Sequence, residues 1–520
     1  MWSYAPVSIR LVSSQELHGL SGIHLVQCDP STKSLAADQE DFVLTFNYLP
    51  NLQDFNIIVS SHGSSQTSQV TWYPAKVHQL HEIPLPLTEN LDDFRKNGFR
   101  LFPHDSHRAS LLSVAVIKLA HSARQQLFQN AHYSALQVAN PKTGQSMEII
   151  SNPFTFNNSL LFANFVSRGT INYSVGGSHA PVAHLADIRY MENMIGGIAK
   201  QDDKLVGLVL GNLKKSNGDG DLLTVVPWNS LRNLFDHSSL IPNKLAGVAL
   251  PEIRPRKLAK NALRTQKLAL VFPIQVKHQL TSSWGSCVYY NQTTFITNLH
   301  VVKPFLDDPK LKLEILLDSK TSILFEHSNC ISTPSQALDL VFIKVDPQNI
   351  LKLDAYISSN EPNPSSLNVC TGDKVTSYSY GLFFNPNDIT PLVSTGIINT
   401  MLALPVGAKL GAKHKTITSM IVTSSSCWNG SSGGGLFNSE GRLVGLICSN
   451  AQVSVPSLEE GTPPASVKIP QISFVLPIDL INYCYVQDMN RTKLEISSDI
   501  GNLWQLKQFH VDIVQELSKL

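Results

Sequence analysis

An excess of charge of either sign is missing from this chain of 520 residues: 41 Lys and Arg stand against 40 Asp and Glu, a net charge of +1. With that balance, neither nucleic acid nor an anionic membrane is an implied partner. Long apolar runs are missing too. Stretches such as Leu205 to Leu210 fall far short of the ~20 residues needed to cross a bilayer, so no membrane span is expected. The start, Met1-Trp2-Ser3-Tyr4-Ala5-Pro6, has no basic segment leading into an apolar one, which argues against a cleaved secretory signal. Cysteines are few and scattered (Cys28, Cys287, Cys330, Cys370, Cys427, Cys448 and Cys484) with no C-x-x-C spacing. That pattern suits reduced thiols and excludes a disulfide frame or a zinc knuckle. No H-E-x-x-H run occurs, so no metal or other cofactor is expected.

What is there is an ordinary globular composition, 42% hydrophobic and 16% charged, on a chain too long for a single core. Short runs rich in Val, Ile, Thr and Phe, such as Phe295-Ile296-Thr297, Leu340 to Val345 and Arg442 to Ile447, alternate with Gly, Pro, Asn and Asp. Few stretches hold a 3.6-residue apolar period. The pattern predicts an all-β chain built as barrels or sandwiches, with helices expected at Asp479 to Cys484 and at about Asn502 to Leu517.

An internal repeat organises the whole. Leu112-Ser113-Val114-Ala115-Val116-Ile117-Lys118-Leu119 matches Leu338 to Val345 without a gap. Val166 to Asn172 matches Val393 to Asn399, Gly196-Gly197 with Lys204 to Leu208 matches Gly433-Gly434 with Arg442 to Leu446, and Val225 to Leu231 echoes Val475 to Ile481. Four matches in one order predict two copies of one fold: residues 1–245, a basic linker over 246–267, a second copy over 268–485, and a helical tail over 486–520. The linker holds Arg254, Arg256, Lys257, Lys260, Arg264 and Lys267 with no acid after Glu252, and Pro251 and Pro255 break regular structure; it reads as a solvated connection.

The chemistry gathers in the second copy. Gly430-Ser431-Ser432-Gly433-Gly434 sets a serine among glycines, which lets successive backbone N–H groups turn inward together. Ser432 is thus a candidate nucleophile, with the N–H groups of Gly430 and Ser432 as its oxyanion hole. A glycine-serine run alone is more often a linker. Upstream, His300 closes the apolar run Ile296-Thr297-Asn298-Leu299, and Asp339 opens Leu340-Val341. His300 would take the Ser432 proton while Asp339 holds the imidazole in the right tautomer.

Together these segments resemble a trypsin-like serine protease of the HtrA/Deg family. Trp284-Gly285-Ser286-Cys287-Val288, Thr297 to Val302, Asp339-Leu340-Val341, Gly372-Asp373-Lys374-Val375 and Gly430 to Gly434 follow in the family's order, covering about Leu268 to Cys484. Gly435 stands where the family usually has proline, and the residues after Cys484 are too few for a PDZ domain. The resemblance implies tandem trypsin-like double β-barrels. Ser518-Lys519-Leu520 has the form of the carboxy-terminal address read by the peroxisomal import receptor. With a degenerate first half, this is similar to the family's peroxisomal leader-processing branch, whose substrates are imported precursor proteins. A general quality-control protease and a non-catalytic peptide-binding pseudoenzyme are the alternatives, and homo-oligomerisation stays open.

By motif position Ser426 lies at the base of the specificity pocket, with Ser449 and Asn450 on its wall; lacking a carboxylate, the pocket is expected to take a small or neutral residue. In the first copy, His62 is aligned with His300, Ser113 with Asp339 and Ile195 with Ser432. That half is expected to be inactive, serving as support, in dimerisation, in presequence binding, or as a cover for apolar surface. Leu402 to Lys415, carrying Pro405 and three lysines, is expected to be a surface loop.

Overall fold

The computed structural model describes residues 2–505 apart from 29–30, 32–34, 36–38, 62–69, 104–111, 157–160, 177–180, 232–269, 278–281, 292, 309, 327–329, 354–355, 357–368, 387–388, 407–415, 456–464, 493 and 495. The basic linker, His62, the lysines of the expected loop and Ser518-Lys519-Leu520 all fall outside the described residues.

β-Strands form the framework, as the alternation of apolar runs and turn residues predicts. Two compact units divide the chain: Met1–Ala259 with Leu392–Thr395 and Gln452–Pro470, and Lys260–Pro391 with Gly396–Ala451 and Gln471–Leu520. The N-terminal copy opens with a ring of six strands, Ser3–Val12, Leu17–Val26, Asp41–Asn47, Asn56–Ser60, Tyr73–Glu82 and Ser113–Leu119, closed by pairing of the first two. A second ring follows: Ser146–Ser151, Phe165–Val175, Ala183–Ala186, Ile198–Gln201, Lys204–Lys215 and Gly220–Pro227.

The C-terminal copy repeats this plan. Val271–Lys277, Ser282–Asn291, Thr294–Asn298, Lys312–Leu316, Ser322–Phe325, Ile331–Ser335 and Leu340–Lys344 make one sheet. Lys374–Ser379, Leu392–Pro405, Thr416–Thr423, Gly435–Asn438, Leu443–Val455 and Ala465–Pro477 make a closed barrel. In the first sheet, two strands (Ser322–Phe325 and Ile331–Ser335) stand in the place that Tyr73–Glu82 fills alone in the N-terminal copy, pairing with both of its neighbours.

The strands leading to His300 and Asp339 are buried on both faces, which explains why they read as continuous apolar runs. Phe295 pairs with Ile343 and Ile296 with Phe342. Successive side chains leave a strand on opposite sides. Phe295, Val341 and Ile343 therefore pack with Phe272 and Ile274, while Ile296, Leu340 and Phe342 pack with Leu446, Leu476 and Ile481. Each such side chain contributes about 1.5–3 kcal/mol on burial. A register slip by one residue would exchange the two sets, so the ends of these strands are firmly placed.

Helices are more numerous than expected. Leu85–Lys96, His121–Gln129, Leu299–Asp307 and Pro347–Leu353 join the expected carboxy-terminal ones. The helix expected from Asp479 runs over Ile478–Met489; the one expected from about Asn502 begins earlier and spans Ser498–Trp504, capped by Ser497 Oγ accepting from Ile500 N. The expected loop Leu402–Lys415 begins later than thought: Leu402 to Pro405 continue the strand Leu392–Pro405, paired with Thr416 to Met420. No helix among the described residues is long and apolar enough to cross a membrane.

Candidate active site

His300 does not end a strand. It stands in the first turn of the helix Leu299–Asp307, directly after the strand Thr294–Asn298. A helix start leaves backbone N–H groups without partners, and here the residue N-cap Asn298 makes no side-chain cap. Asp339 supplies the acceptors instead. Its Oδ1 takes the His300 N–H at 2.9 Å, its carbonyl takes the Leu299 N–H at 3.0 Å, and its Oδ2 lies 2.6 Å from His300 Nδ1. The carboxylate can only accept, so Nδ1 carries a proton; in the neutral imidazole this leaves the lone pair on Nε2, the form a general base needs. Asp339 has φ +52°, a left-handed conformation that Asp tolerates better than most residues.

Asn298 braces this pair: Nδ2 donates to the Asp339 carbonyl at 3.0 Å and to Cys448 Sγ at 3.2 Å. Burial pushes the Cys448 thiol well up, and the Asp339 charge adds to the effect. That keeps Cys448 protonated and unreactive beside the site.

The serine loop is a turn held from several sides. Ser431 N donates to Trp428 O at 2.8 Å and Gly430, third in the turn, has φ +86°. This is a type II turn, which calls for glycine at that place. The carbonyl of its middle peptide, on Asn429, accepts from Leu382 N at 2.8 Å. In a planar trans peptide the N–H points opposite to the carbonyl, so Gly430 N–H faces away from Leu382. Among the described residues neither that N–H nor Ser432 N–H donates to a protein group. Two open donors beside a serine are what an oxyanion hole requires. Ser286 secures the base of the loop: its N donates to Ser432 O at 2.8 Å, its Oγ to Gly430 O at 3.0 Å, and its Oγ accepts from Tyr380 N at 2.8 Å.

Ser432 Oγ itself donates to Cys448 O at 3.0 Å, and His300 is bonded to Asp339. The structure thus assembles the His–Asp pair and the serine loop, with the hydroxyl turned to the backbone of the strand Leu443–Val455. Ser426 is buried, its carbonyl accepting from Ser377 Oγ at 3.3 Å. Ser449 is exposed, and Asn450 Nδ2 donates to Cys427 O at 3.3 Å. Asn298, Ser286 and Leu382 were missed in the sequence. Asn298 and Ser286 lie inside the quoted motifs, but only the fold shows what they hold, and Leu382 carries no motif at all.

The N-terminal copy repeats the loop bond for bond. Ser21 N donates to Ile195 O at 2.8 Å and Ser21 Oγ to Asn193 O at 2.8 Å; Asn152 N donates to Ser21 Oγ at 2.9 Å. Phe154, with φ +51°, donates its N–H to Glu192 O as Leu382, with φ +49°, does to Asn429 O. Thr45 Oγ1 donates to Ser21 O at 2.7 Å just as Thr297 Oγ1 donates to Ser286 O at 2.7 Å. That bond aligns the strands Asp41–Asn47 and Thr294–Asn298 and puts Tyr48, not His62, in the place of His300. His62 follows the strand Asn56–Ser60, which pairs as Lys312–Leu316 does, one strand later. Ser113 does stand where Asp339 stands, and accepts from Asn47 Nδ2 at 3.2 Å. Ile195, in the nucleophile's place, is buried.

Residues 285–446 match the trypsin-like peptidase domain family. Serine endoprotease DegS of Haemophilus influenzae is 30% identical over 268 residues, which are 51% of this chain and 65% of DegS. The chain therefore spans somewhat less than two thirds of that relative. Solved structures that it resembles include the HtrA-type protease AlgW with a tripeptide, at 16% identity over 44% of this chain and 64% of that one with a TM-score of 0.28. Another is Deg5, at 19% identity over 42% of this chain and 89% of that one with a TM-score of 0.27; likeness at such scores carries no argument. The chain is similar to serine endoprotease DegS, and its residues 285–446 to the trypsin-like peptidase domain family.

Proposed function

We propose that the chain is a serine endopeptidase of the peroxisomal matrix that removes leader presequences from imported proteins. The observation that carries the catalytic part is the two-bonded grip of Asp339 on His300, beside a serine whose loop leaves two N–H donors open. In the reaction Ser432 Oγ rotates from the Cys448 carbonyl to His300 Nε2, loses its proton there and attacks the scissile carbonyl. Gly430 N–H and Ser432 N–H bind the resulting oxyanion. His300 returns the proton to the leaving amine, and Asp339 stabilises the imidazolium in between. Water then releases the acyl group by the same steps in reverse. The Cys448 carbonyl vacated by Ser432 becomes an acceptor for a backbone N–H of the bound substrate.

The peroxisomal part rests on Ser518-Lys519-Leu520, read by the import receptor. The N-terminal copy is proposed to be inactive, since Tyr48, Ser113 and Ile195 offer neither base, carboxylate nor nucleophile.

The test is incubation of wild type and Ser432→Ala with a precursor bearing a type-2 peroxisomal presequence, followed by intact mass. A single cut by wild type and none by the variant is expected. Many cuts would favour a quality-control protease. No cut, together with no fluorophosphonate labelling of wild type, would sink the catalytic reading and leave a peptide-binding pseudoenzyme.

A further inference from the structure

We propose that a polar cavity of about 390 Å³ in the first sheet of the C-terminal copy binds an acidic side chain of the substrate, roughly two to four residues after the cut. This rests on the endopeptidase reading and adds to it a preference in the leaving segment.

The cavity is lined from three neighbouring strands, Val271–Lys277, Ser282–Asn291 and Lys312–Leu316. Lys277 pairs with Ser282 across the first two, and Gln275 pairs with both Trp284 and Glu314. Trp284 joins this place to the serine loop. A Cβ on Gly430 would lie 2.6 Å from its Nε1, and its ring packs against Phe384 with 6.0 Å between centroids. Pro386, two residues after Phe384, lines the cavity. Ser432 is held from one side by the strand Leu443–Val455, through Cys448 O, and from the other by the strand Ser282–Asn291, through Ser286 N. A substrate whose acyl half follows the first of these strands sends its leaving half along the second. From Trp284 to Ser282 is roughly 7 Å of extended chain, so the cavity meets residues shortly after the cut and not the cut itself.

The acceptors in the cavity are already engaged. Glu314 is only 9% exposed. Its Oε1 accepts from Ser322 Oγ at 2.6 Å, and its Oε2 from Gln275 Nε2 at 2.5 Å and from Lys277 Nζ. Burial opposes the Glu314 charge, but the bonds from Lys277, Ser322 and Gln275 outweigh it and hold the carboxyl below its usual range. Glu314 therefore stays ionised and keeps Lys277 in place. Asp318 Oδ1 accepts the N–H groups of Lys320 and Thr321 at 2.7 Å each, and Oδ2 accepts the Tyr356 hydroxyl at 2.5 Å. The donors are open. Lys277 has three ammonium hydrogens, of which Glu314 takes one. Among the described residues Lys320 Nζ, Ser282 Oγ and Ser319 Oγ bond to no protein group. Engaged acceptors and open donors, two of them cationic, fit a carboxylate.

The fold does not dictate this lining. Gly19 stands two residues before Ser21 as Trp284 stands two before Ser286. Arg10 pairs with Gly19 and Ile58 as Gln275 pairs with Trp284 and Glu314. The Arg10 guanidinium lies 4.2 Å from the Trp72 ring and 4.9 Å from the Phe156 ring. The N-terminal copy thus sets a cation among rings in the matching place, where the C-terminal copy has the Glu314–Lys277 pair.

The experiment uses the full-length protein and amidated peptides spanning the cut that intact mass locates, with Glu, Gln or Lys at the second, third or fourth position after it. At one or more of these positions wild type is expected to favour Glu over Gln by about 10-fold in kcat/KM, the scale of one hydrogen bond to a charged group, and to disfavour Lys. Lys277→Gln combined with Lys320→Gln is expected to bring the Glu and Gln peptides to within about 2-fold of each other, since neither cation remains. Lys320→Glu is expected to favour Lys over Glu, and because Lys320 is exposed it decides the matter even where the double variant fails to fold. Fluorophosphonate labelling of Ser432 and a thermal melt report in each protein whether the serine loop and the fold are intact. A labelled wild type that cleaves Glu and Gln peptides alike at every position overturns the cavity's role and leaves the endopeptidase reading standing. A labelled Lys320→Glu protein that keeps the wild-type preference overturns it too. A wild type that neither labels nor cleaves overturns both.

Discussion

Gly430→Ala tests the oxyanion hole through the geometry of one turn. A Cβ on Gly430 would lie 2.6 Å from Trp284 Nε1 and 2.9 Å from Tyr380 O, with φ at +86°. The Trp284 ring is partly exposed and could swing, but the Tyr380 carbonyl is backbone. Holding a residue with a Cβ at this φ costs about 1–2 kcal/mol, before any of the contact is counted. Rotating the middle peptide to make a type I turn brings φ back to negative values. That rotation sacrifices the Leu382 N–H bond to Asn429 O, worth about 0.5–1.5 kcal/mol net. The rotated turn is therefore the cheaper solution for alanine, and in it the residue-430 N–H no longer faces the oxyanion. Losing one such donor costs about 2.7–4 kcal/mol, or 10²–10³ in kcat. The expected result is a fall of that size in kcat and in the rate of fluorophosphonate labelling, with the melting temperature lowered by only a few degrees. Wild-type kcat in the variant would refute the reasoning. A loss of activity matched by general unfolding would refute it as well. The N-terminal copy suggests the rescue: Asn193 has φ +69° in the same place, and the residue facing it is Gly19, whose own Cβ would meet Asn193 Cγ at 2.7 Å. Trp284→Gly combined with Gly430→Asn should restore the melting temperature lost by Gly430→Asn alone.

Asp339→Asn should lower kcat by about 10⁴ with little change in melting temperature, because Asn also tolerates φ +52° while its NH₂ group, set against Nδ1, forces the wrong imidazole tautomer; steady-state kinetics beside a thermal melt decide it, and retained activity would remove Asp339 from the mechanism. His184 offers a pH test independent of catalysis. Burial holds its imidazole down to about 4 from 6.5, with Ser174 Oγ 3.0 Å from Nδ1. The folded state resists protonation that the unfolded chain accepts, so the stabilisation is present above pH 6.5 and is lost as pH falls toward 4, by about 3 kcal/mol at ~1.4 kcal/mol per unit. Denaturant melts of wild type and His184→Asn between pH 7 and pH 4 should show a flatter slope for the variant, and parallel slopes would contradict the burial argument.

Much of the fold was legible because strand runs and a repeat report on backbone geometry that local sequence encodes. The pairing of His300 with Asp339 and the glycine turn before Ser432 were expected for a similar reason: each lies close to a strand boundary or a glycine run that marks itself. What escaped depends on bonds between residues far apart in the chain. Tyr48 occupies the histidine's place because Thr45 Oγ1 meets the Ser21 carbonyl, and a histidine fourteen residues further on was the more conspicuous letter. Leu382 acts through its backbone N–H, which any residue but proline would supply, so no side chain advertises it. The helix Leu85–Lys96 did carry its signal, with buried Leu87 and Leu91 four apart and Gly98 at φ +82° just past its end, but a single turn-and-a-half of period is easily lost among strands.

The two copies separate what holds the loop from what reacts. Gly196 and Gly433 are locked alike: a Cβ on either would meet a serine carbonyl, at 2.1 Å from Ser21 O and 1.9 Å from Ser286 O, and a threonine hydroxyl at 2.3 Å. Gly197 N donates to Met194 O and Gly434 N to Ser431 O, both at 2.9 Å. Even the left-handed residues Phe154 and Leu382, which cost about 1–3 kcal/mol each, are present in both. Yet only one copy has a serine at the tip. Had this strain existed solely to prepare an oxyanion hole, the copy with Ile195 would be free to relax it. It keeps the turn because the same bonds close the second barrel against the strand Leu17–Val26, where Ser21 takes three of them. The loop is thus first a packing element. The chemistry proposed for the C-terminal copy needs only three further choices on it and beside it, Ser432, His300 and Asp339, together with a glycine at 430 that leaves its N–H uncovered.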